Sequence, residues 1–315
     1  MSIVLKKYFI FIDQLDKFYF IIKISKVNNK QFQDHTMQVQ VVDYTAKDAP
    51  QRFVESLKST GFGVLTNHPI KQELVESIYA NWFAFFKEGN KQSYAFDPEK
   101  QDGYFAPEIS ETAKGHKQKD IKEYYHVYPW GRIPDELKDD ILQYYQNTSA
   151  LAAELLDWVE KYSPADVAQK YSEPLSNMIK NTPNTLLRIL HYPPLTGNEE
   201  PGAVRAAAHE DINLLTILPA ASEPGLQVQQ QNGEWLDIPA DFGHLIVNIG
   251  DMLQEASGGY FPSTSHRVIN PSGENAKKSR ISLPLFLHPR DEVVLSERHT
   301  QKTYLLERLK ELGVK

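Results

Sequence analysis

Residues 206–219 read AAAHEDINLLTILP: a histidine and two acids at the head of an apolar run that ends at a proline. The pattern places polar side chains at the entrance of a buried strand. Outward from it lie "LLRILHY" (186–192) on one side and "GLQVQQQ" (225–231), "EWLDIP" (234–239), "HLIVNIG" (244–250), "HRVINP" (266–271) and "RISLPLFLHP" (280–289) on the other. Asn232-Gly233 between two of these runs is a hairpin signal. Seven or eight short strands separated by turns point to a sandwich or a jelly roll. A Pro/Gly-rich loop, residues 193–207, leads into the opening stretch, and long loops at a barrel mouth often carry function.

The amino-terminal half alternates instead. "VQVVDY" (39–44) and "FGVLTNHPI" (62–70) read as strands. Residues 47–61 have helical spacing through Phe53 and Leu57 and stop at Gly61. Residues 71–87 form a longer helix with Leu74, Ile78, Trp82 and Phe85 or Phe86 on one side. A strand is expected near "EYYHVY" (123–128), and 135–162 are strongly helical. The expected regions are 37–135, a helical support 136–180, a strand-rich core 181–292 and a carboxy-terminal helix 293–315.

Residues 1–36 look foreign to the rest. Their apolar run, 9–24, is interrupted by Asp13, Asp16 and Lys17, too short and too charged to span a bilayer. It has no small-residue cleavage site of a secretory signal. Translation is expected to begin at Met37, with the upstream segment a start-site artefact; a real extra strand or amphipathic arm is the alternative. The net charge of −7 gives no general attraction to nucleic acid or an anionic membrane. With no cysteine, disulfides, thiolate metal sites and cysteine nucleophiles are ruled out, and a reducing cytoplasm is compatible.

His209 and Asp211 are two apart, so on a strand they would face the same way. One such pair is common, and a third ligand must come from elsewhere. His266 begins another strand 55 positions later (266 − 211), far enough for the chain to make a hairpin and return beside the first strand. Two histidines and one carboxylate on one side of a metal leave three octahedral positions open, which suits non-haem Fe(II) binding oxygen and an organic co-substrate. Arg280 and Ser282 are again two apart. A guanidinium inside a barrel demands an anion, and with a hydroxyl it forms a fork for a carboxylate. Tyr192 can add a phenolic hydrogen bond. Glu210, between two ligands, should face away. His68 is expected to steady a turn. His191, His244, His288 and His299 lack partners at ligand spacing. Gly250-Asp251 reads as a turn, and Phe261 and Phe286 as pocket lining or core.

In order and together, "VVDY", "GFGVLTNHPI", "DIKEYYHV", "LRILHYPP", "HEDINLLTIL", "GLQVQQQNGEWLDIP", "VNIGDMLQEASGGYFPSTSHRV" and "RISLPLFLHP" resemble the isopenicillin N synthase-like group of 2-oxoglutarate/Fe(II) dioxygenases. The resemblance covers nearly everything after Met37. It implies a mainly β fold with flanking helices around a double-stranded β-helix (jelly roll) core. It also implies His209, Asp211 and His266 as iron ligands, and Arg280 and Ser282, assisted by Tyr192, as the site for the distal carboxylate of 2-oxoglutarate. O2 is the other co-substrate, ascorbate a reductant that keeps the iron ferrous, and a small molecule the substrate. Where the family often has Asn two residues before the tyrosine, this chain has Leu190. Arg-x-Ser also occurs in relatives that bind a substrate carboxylate there and use no 2-oxoglutarate. Such an oxidase, and a branch that fragments 2-oxoglutarate to ethylene, are the alternatives; a non-catalytic jelly roll is the third.

Overall fold

Helix α1 (Ala49–Thr60), which follows strand β1 (Val41–Asp43), folds as its spacing demands: Phe53 and Leu57, four apart, are fully buried. Gly61 ends it in the left-handed conformation, φ 77°. A Cβ there would lie 2.3 Å from Thr264 Oγ1 and 2.8 Å from Pro262 O, so glycine lets this turn seat against the segment leading to His266. The computed structural model describes residues 38–109, 118–221 and 225–311. The chain divides into two units, 1–38 and 39–315. The readings of residues 1–36 and of a start at Met37 lie outside the described residues.

Strand β2 (Phe62–Thr66) precedes α2 (Gln72–Glu88), which buries Val75, Ile78, Trp82, Phe85 and Phe86 along one side. Strands β3 (Gly103–Phe105) and β4 (Glu123–Val127) follow. Helix α3 (Lys138–Lys161) buries Ile141, Tyr144, Leu151, Leu155 and Val159, and short helices α4 (Ala165–Ala168) and α5 (Leu175–Met178) complete the helical layer. Then come β5 (Leu186–Tyr192), β6 (Ala206–His209), β7 (Leu215–Pro219), β8 (Leu226–Gln229), β9 (Trp235–Asp237) and β10 (Leu245–Ile249). Helix α6 (Asp251–Ala256) intervenes before β11 (His266–Val268), β12 (Arg280–Ser282) and β13 (Leu285–Phe286), and α7 (Gln301–Glu311) follows.

Among the described residues these strands form two sheets. One has nine strands in the order β1-β2-β10-β7-β13-β5-β4-β3, with β12 also on β5; the other is β6-β11-β8-β9. The Asn232-Gly233 hairpin joins β8 to β9, with Gln229 opposite Trp235. Two details differ from the sequence reading. "RISLPLFLHP" is not one strand: it divides into β12 and β13 around Leu283-Pro284, where proline has no amide to give the ladder. Asp251 starts a helix rather than a turn, with Gly250 as its cap.

The pairing register sorts the large sheet into two faces. Leu187, Ile189, Tyr125 and Val127 point to the main core beneath α2 and α3. The opposite face points to the small sheet, where Phe62, Val64 and Ile246 pack against Val228. Phe62, Asn248, Thr216 and Phe286 are successive cross-strand neighbours on this inner face. Leu186, Arg188, Leu190 and Tyr192 continue it along β5, opposite His126, Tyr124, Ser282 and Arg280. The double-stranded β-helix thus has an interior lined by polar as well as apolar side chains.

Candidate active site

His209 ends β6 and His266 begins β11, and the two are direct partners across the antiparallel pair. Their rings are 4.4 Å apart. The sequence reading placed His209 and Asp211 together at a strand entrance. Instead Asp211 lies past the end of β6, in the loop before β7, and reaches the histidines from that turn. Asp211 Oδ1 is 3.8 Å from His209 Nε2 and 3.7 Å from His266 Nε2, and the three donor atoms lie within 4.8 Å of one another.

Each donor is aimed by a second contact. His209 Nδ1 is 2.7 Å from Ala207 O, and His266 Nδ1 is 3.2 Å from Thr264 O. A carbonyl only accepts, so both Nδ1 atoms carry the proton and both Nε2 lone pairs face the common point. Burial, reinforced by His266, pushes His209 down to about 4, so its ring is neutral at pH 7. Burial works to raise Asp211, but His266, His209 and hydrogen bonds from Asn248 and Thr216 hold it below the usual carboxylate range. Thr216 Oγ1 donates to Asp211 Oδ2 at 2.5 Å and Asn248 Nδ2 donates to it at 2.8 Å, which turns Oδ1 towards the histidines. Thr216 in turn accepts from Asn213 Nδ2 at 3.0 Å. Two imidazole nitrogens and one carboxylate oxygen on one side of a point fit Fe(II) with open positions opposite.

The loop carrying Asp211 is tied down by backbone. The amide of Asp251, first in α6, donates to Asp211 O at 2.7 Å, and Met252 N donates to Ile212 O and Asn213 O at 3.2 and 3.1 Å. A Cβ on Gly250 would lie 2.2 Å from Asn213 O, so this approach also requires glycine. The sequence reading missed Thr216, Asn248 and Asn213. Their signal was present in the polar residues punctuating otherwise apolar strands.

Arg280, Ser282 and Tyr192 are buried together on the inner face. Arg280 is directly opposite Tyr192 across β12 and β5, and its Cζ is 5.9 Å from the tyrosine ring. Ser282 is opposite Leu190, which leaves an apolar side chain where the family often has asparagine. The Tyr192 phenol is raised by burial, against the pull of Lys122 and Arg280, so it stays a neutral hydrogen-bonding group. Nearby, buried Lys122 pairs with Asp120 at 2.8 Å, and Asp120 also accepts from Ala207 N on β6.

The remaining residues singled out from the sequence fall elsewhere. Glu210 is exposed. His68 Nε2 meets Gly243 O at 3.0 Å, bracing a loop far along the chain. His191 pairs with Glu123 at 2.7 Å on the opposite face of the sheet. His244 accepts the Asp241 amide, and His299 lies 3.8 Å from Glu307. Phe261 is fully buried in the main core, whereas Phe286 is half-buried on the inner face. No described helix is long and apolar enough to cross a membrane.

Comparisons with known proteins agree with this geometry. Residues 183–289 match the 2OG-Fe(II) oxygenase superfamily, and 39–162 match the family described as non-haem dioxygenase in morphine synthesis N-terminal. A crystal structure from Shewanella oneidensis, provisionally assigned as an oxygenase, is 62% identical. The match has a TM-score of 0.81 and covers 88% of this chain and all of that one. The 2-oxoglutarate-dependent dioxygenase 11 of Oryza sativa subsp. japonica is 29% identical over 289 residues, 86% of this chain and 76% of the relative. Scopoletin 8-hydroxylase of Arabidopsis thaliana is 28% identical over 282 residues, 79% of this chain and 70% of the relative. The chain belongs to the 2OG-Fe(II) oxygenase superfamily and is a 2-oxoglutarate-dependent dioxygenase, an oxidoreductase that works with Fe(II) and 2-oxoglutarate.

Proposed function

We propose that His209, Asp211 and His266 hold the Fe(II), and that Arg280 and Ser282, assisted by Tyr192, hold the distal carboxylate of 2-oxoglutarate. The protein then oxidises a small organic molecule by hydroxylation or desaturation and releases succinate and CO2. The observation that carries this reading is the convergence of two Nε2 lone pairs and one carboxylate oxygen, each fixed by a bond on its far side. Bound iron and 2-oxoglutarate supply the oxidising power drawn from O2.

The chain's own residues do the rest. Thr216 and Asn248 keep Oδ2 of Asp211 away from the metal position. Arg280 neutralises the co-substrate tail where water is excluded by Leu190, Tyr192, Tyr124 and Phe105, which form one small apolar cluster. A relative named for scopoletin supports a small-molecule substrate, and the lack of cysteine suits work in the cytoplasm.

The test is succinate. Purified protein with Fe(II), 2-oxoglutarate and ascorbate is expected to form succinate slowly under air and none under nitrogen, faster when the true substrate is added. Headspace ethylene would identify the fragmenting branch. If iron and 2-oxoglutarate both bind, yet a broad metabolite screen yields no oxygen-dependent succinate, the dioxygenase assignment of these residues fails.

A further inference from the structure

The stretch DIKEYYHV (120–127) leads into β4, and its first and third residues form an ion pair that the iron and 2-oxoglutarate sites do not use. Asp120 and Lys122 are both buried, and Lys122 Nζ donates to Asp120 Oδ2 at 2.8 Å. The other oxygen, Oδ1, accepts from Ala207 N at 3.0 Å. The backbone adds a second tie: Ile121 N donates to Val204 O at 3.0 Å, so residues 120–122 lie along the chain that enters β6. A buried ion pair is weak evidence of added stability, since desolvating two charges offsets most of their attraction. The place of this pair, rather than its energy, is informative.

Ala207 is buried on β6, the outer strand of the small sheet, which among the described residues pairs on one side only, with β11. A buried amide at a sheet edge needs an acceptor from outside the sheet. Asp120 supplies it from the amino-terminal half of the chain. Two residues further on stands His209, whose Nδ1 donates to Ala207 O at 2.7 Å. Ala207 therefore carries both bonds: its N–H is held by Asp120, and its C=O holds the imidazole. Fraying of β6 at Ala207 would turn that carbonyl and swing Nε2 off the point shared with Asp211 and His266. His266 also leans on a carbonyl, Thr264 O, but its strand is paired on both sides, by β6 and β8. Of the two histidine-bearing strands, β6 is the one that needs an outside brace.

We propose that Asp120 is a positioning residue for the metal site: it fixes His209 through Ala207, and Lys122 holds its carboxylate in place. A carboxylate suits the task because it only accepts. Ala207 N–H and Lys122 Nζ both donate, and the two oxygens take one each. An asparagine has one oxygen for the same two donors and would turn its NH2 group towards one of them. The inference rests on the iron reading above.

The test uses the full chain, first free of metal and then titrated with Mn(II) by calorimetry. In imidazole-nitrogen NMR of the metal-free protein, the His209 signal, assigned by its loss in His209→Gln, is expected to show one tautomer with the proton on Nδ1. Asp120→Leu should mix the two tautomers and weaken Mn(II) by about 10- to 100-fold, the usual worth of a contact that orients a metal-ligating histidine. Asp120→Asn should weaken Mn(II) as well. Combining Asp120→Asn with Lys122→Met removes the competing donor, returns the amide oxygen to Ala207 N–H and should recover most of the affinity and the single tautomer. A role limited to folding stability would make the double variant worse than the single one. The inference is overturned if Asp120→Leu and Asp120→Asn keep the native Mn(II) affinity and tautomer, or if the double variant binds Mn(II) no better than Asp120→Asn. The two asparagine variants carry the test alone if Asp120→Leu does not fold. Failure of the unaltered chain to bind Mn(II) strikes the iron reading beneath it instead.

Discussion

At the scale of single residues, the site separates atoms that bind from atoms that aim. His209→Ala or Asp211→Ala removes a donor, so each variant is expected to lose Fe(II)- or Mn(II)-binding and turnover while circular dichroism stays native. Full iron-dependent activity in both variants would remove the triad from the mechanism. Arg280→Leu should leave metal binding intact and weaken 2-oxoglutarate by roughly 30- to 1000-fold, or about 2–4 kcal/mol, for the loss of a charge-assisted pair. Unchanged 2-oxoglutarate affinity there would assign Arg280 to the substrate instead. Acid should act through the histidines. Burial holds both His209 and His288 down to about 4, below the value near 6.5 of an unfolded chain. The unfolded chain takes up these protons first, so the metal-free protein keeps this stability above pH 6.5 and loses it as the pH falls through about 4. Chemical denaturation from pH 7 to pH 4 checks the sign, and metal affinity should fall as the pH approaches about 4, where protons compete for Nε2 of folded His209.

At the scale of elements, the Asp211 loop depends on α6 more than on its own strands. Gly250→Ala would push a methyl into Asn213 O and separate the α6 amides from the loop carbonyls. A melting temperature lowered by several degrees is expected, with Mn(II) affinity reduced more than 2-oxoglutarate affinity, as titration of each would show. Equal losses of both would mean a general unfolding effect. Periodicity made most of these elements legible: α1, α2 and α3 bury the residues their spacing exposes, and β5 runs over the seven residues read as a strand. The three residues whose donor atoms converge were also named from the sequence, because His-x-Asp and the later His are local patterns. What failed had a non-local cause. Asp211 looked like a strand residue because alternation says nothing of a turn held by a helix cap elsewhere, and α6 itself, six residues after a glycine, was too short to show a period. The supports Thr216 and Asn248 and the Arg188–His126 pair belong to the inner face only through cross-strand register, which a single strand's sequence does not contain.

At the scale of the whole molecule, the nine-stranded sheet draws β1–β4 from the amino-terminal half and β5, β7, β10, β12 and β13 from the second, so the halves share one platform. The three proposed ligands are divided between this platform and the smaller sheet. Asp211 is gripped by Thr216 on β7 and Asn248 on β10, whereas His209 and His266 stand on β6 and β11. An ion at this point would therefore act as a rivet between two layers whose other contacts include the apolar cluster around Val228. Saturating Mn(II) should raise the melting temperature, by about 2.7 kcal/mol of added stability at one hundred times the dissociation constant. Amide hydrogen exchange should slow most in β6 and β11, and a uniform slowing across the chain would contradict the rivet. Iron loss would then do more than stop turnover: it would let the small sheet breathe away from the large one, and the opened seam would be the first place a protease cuts.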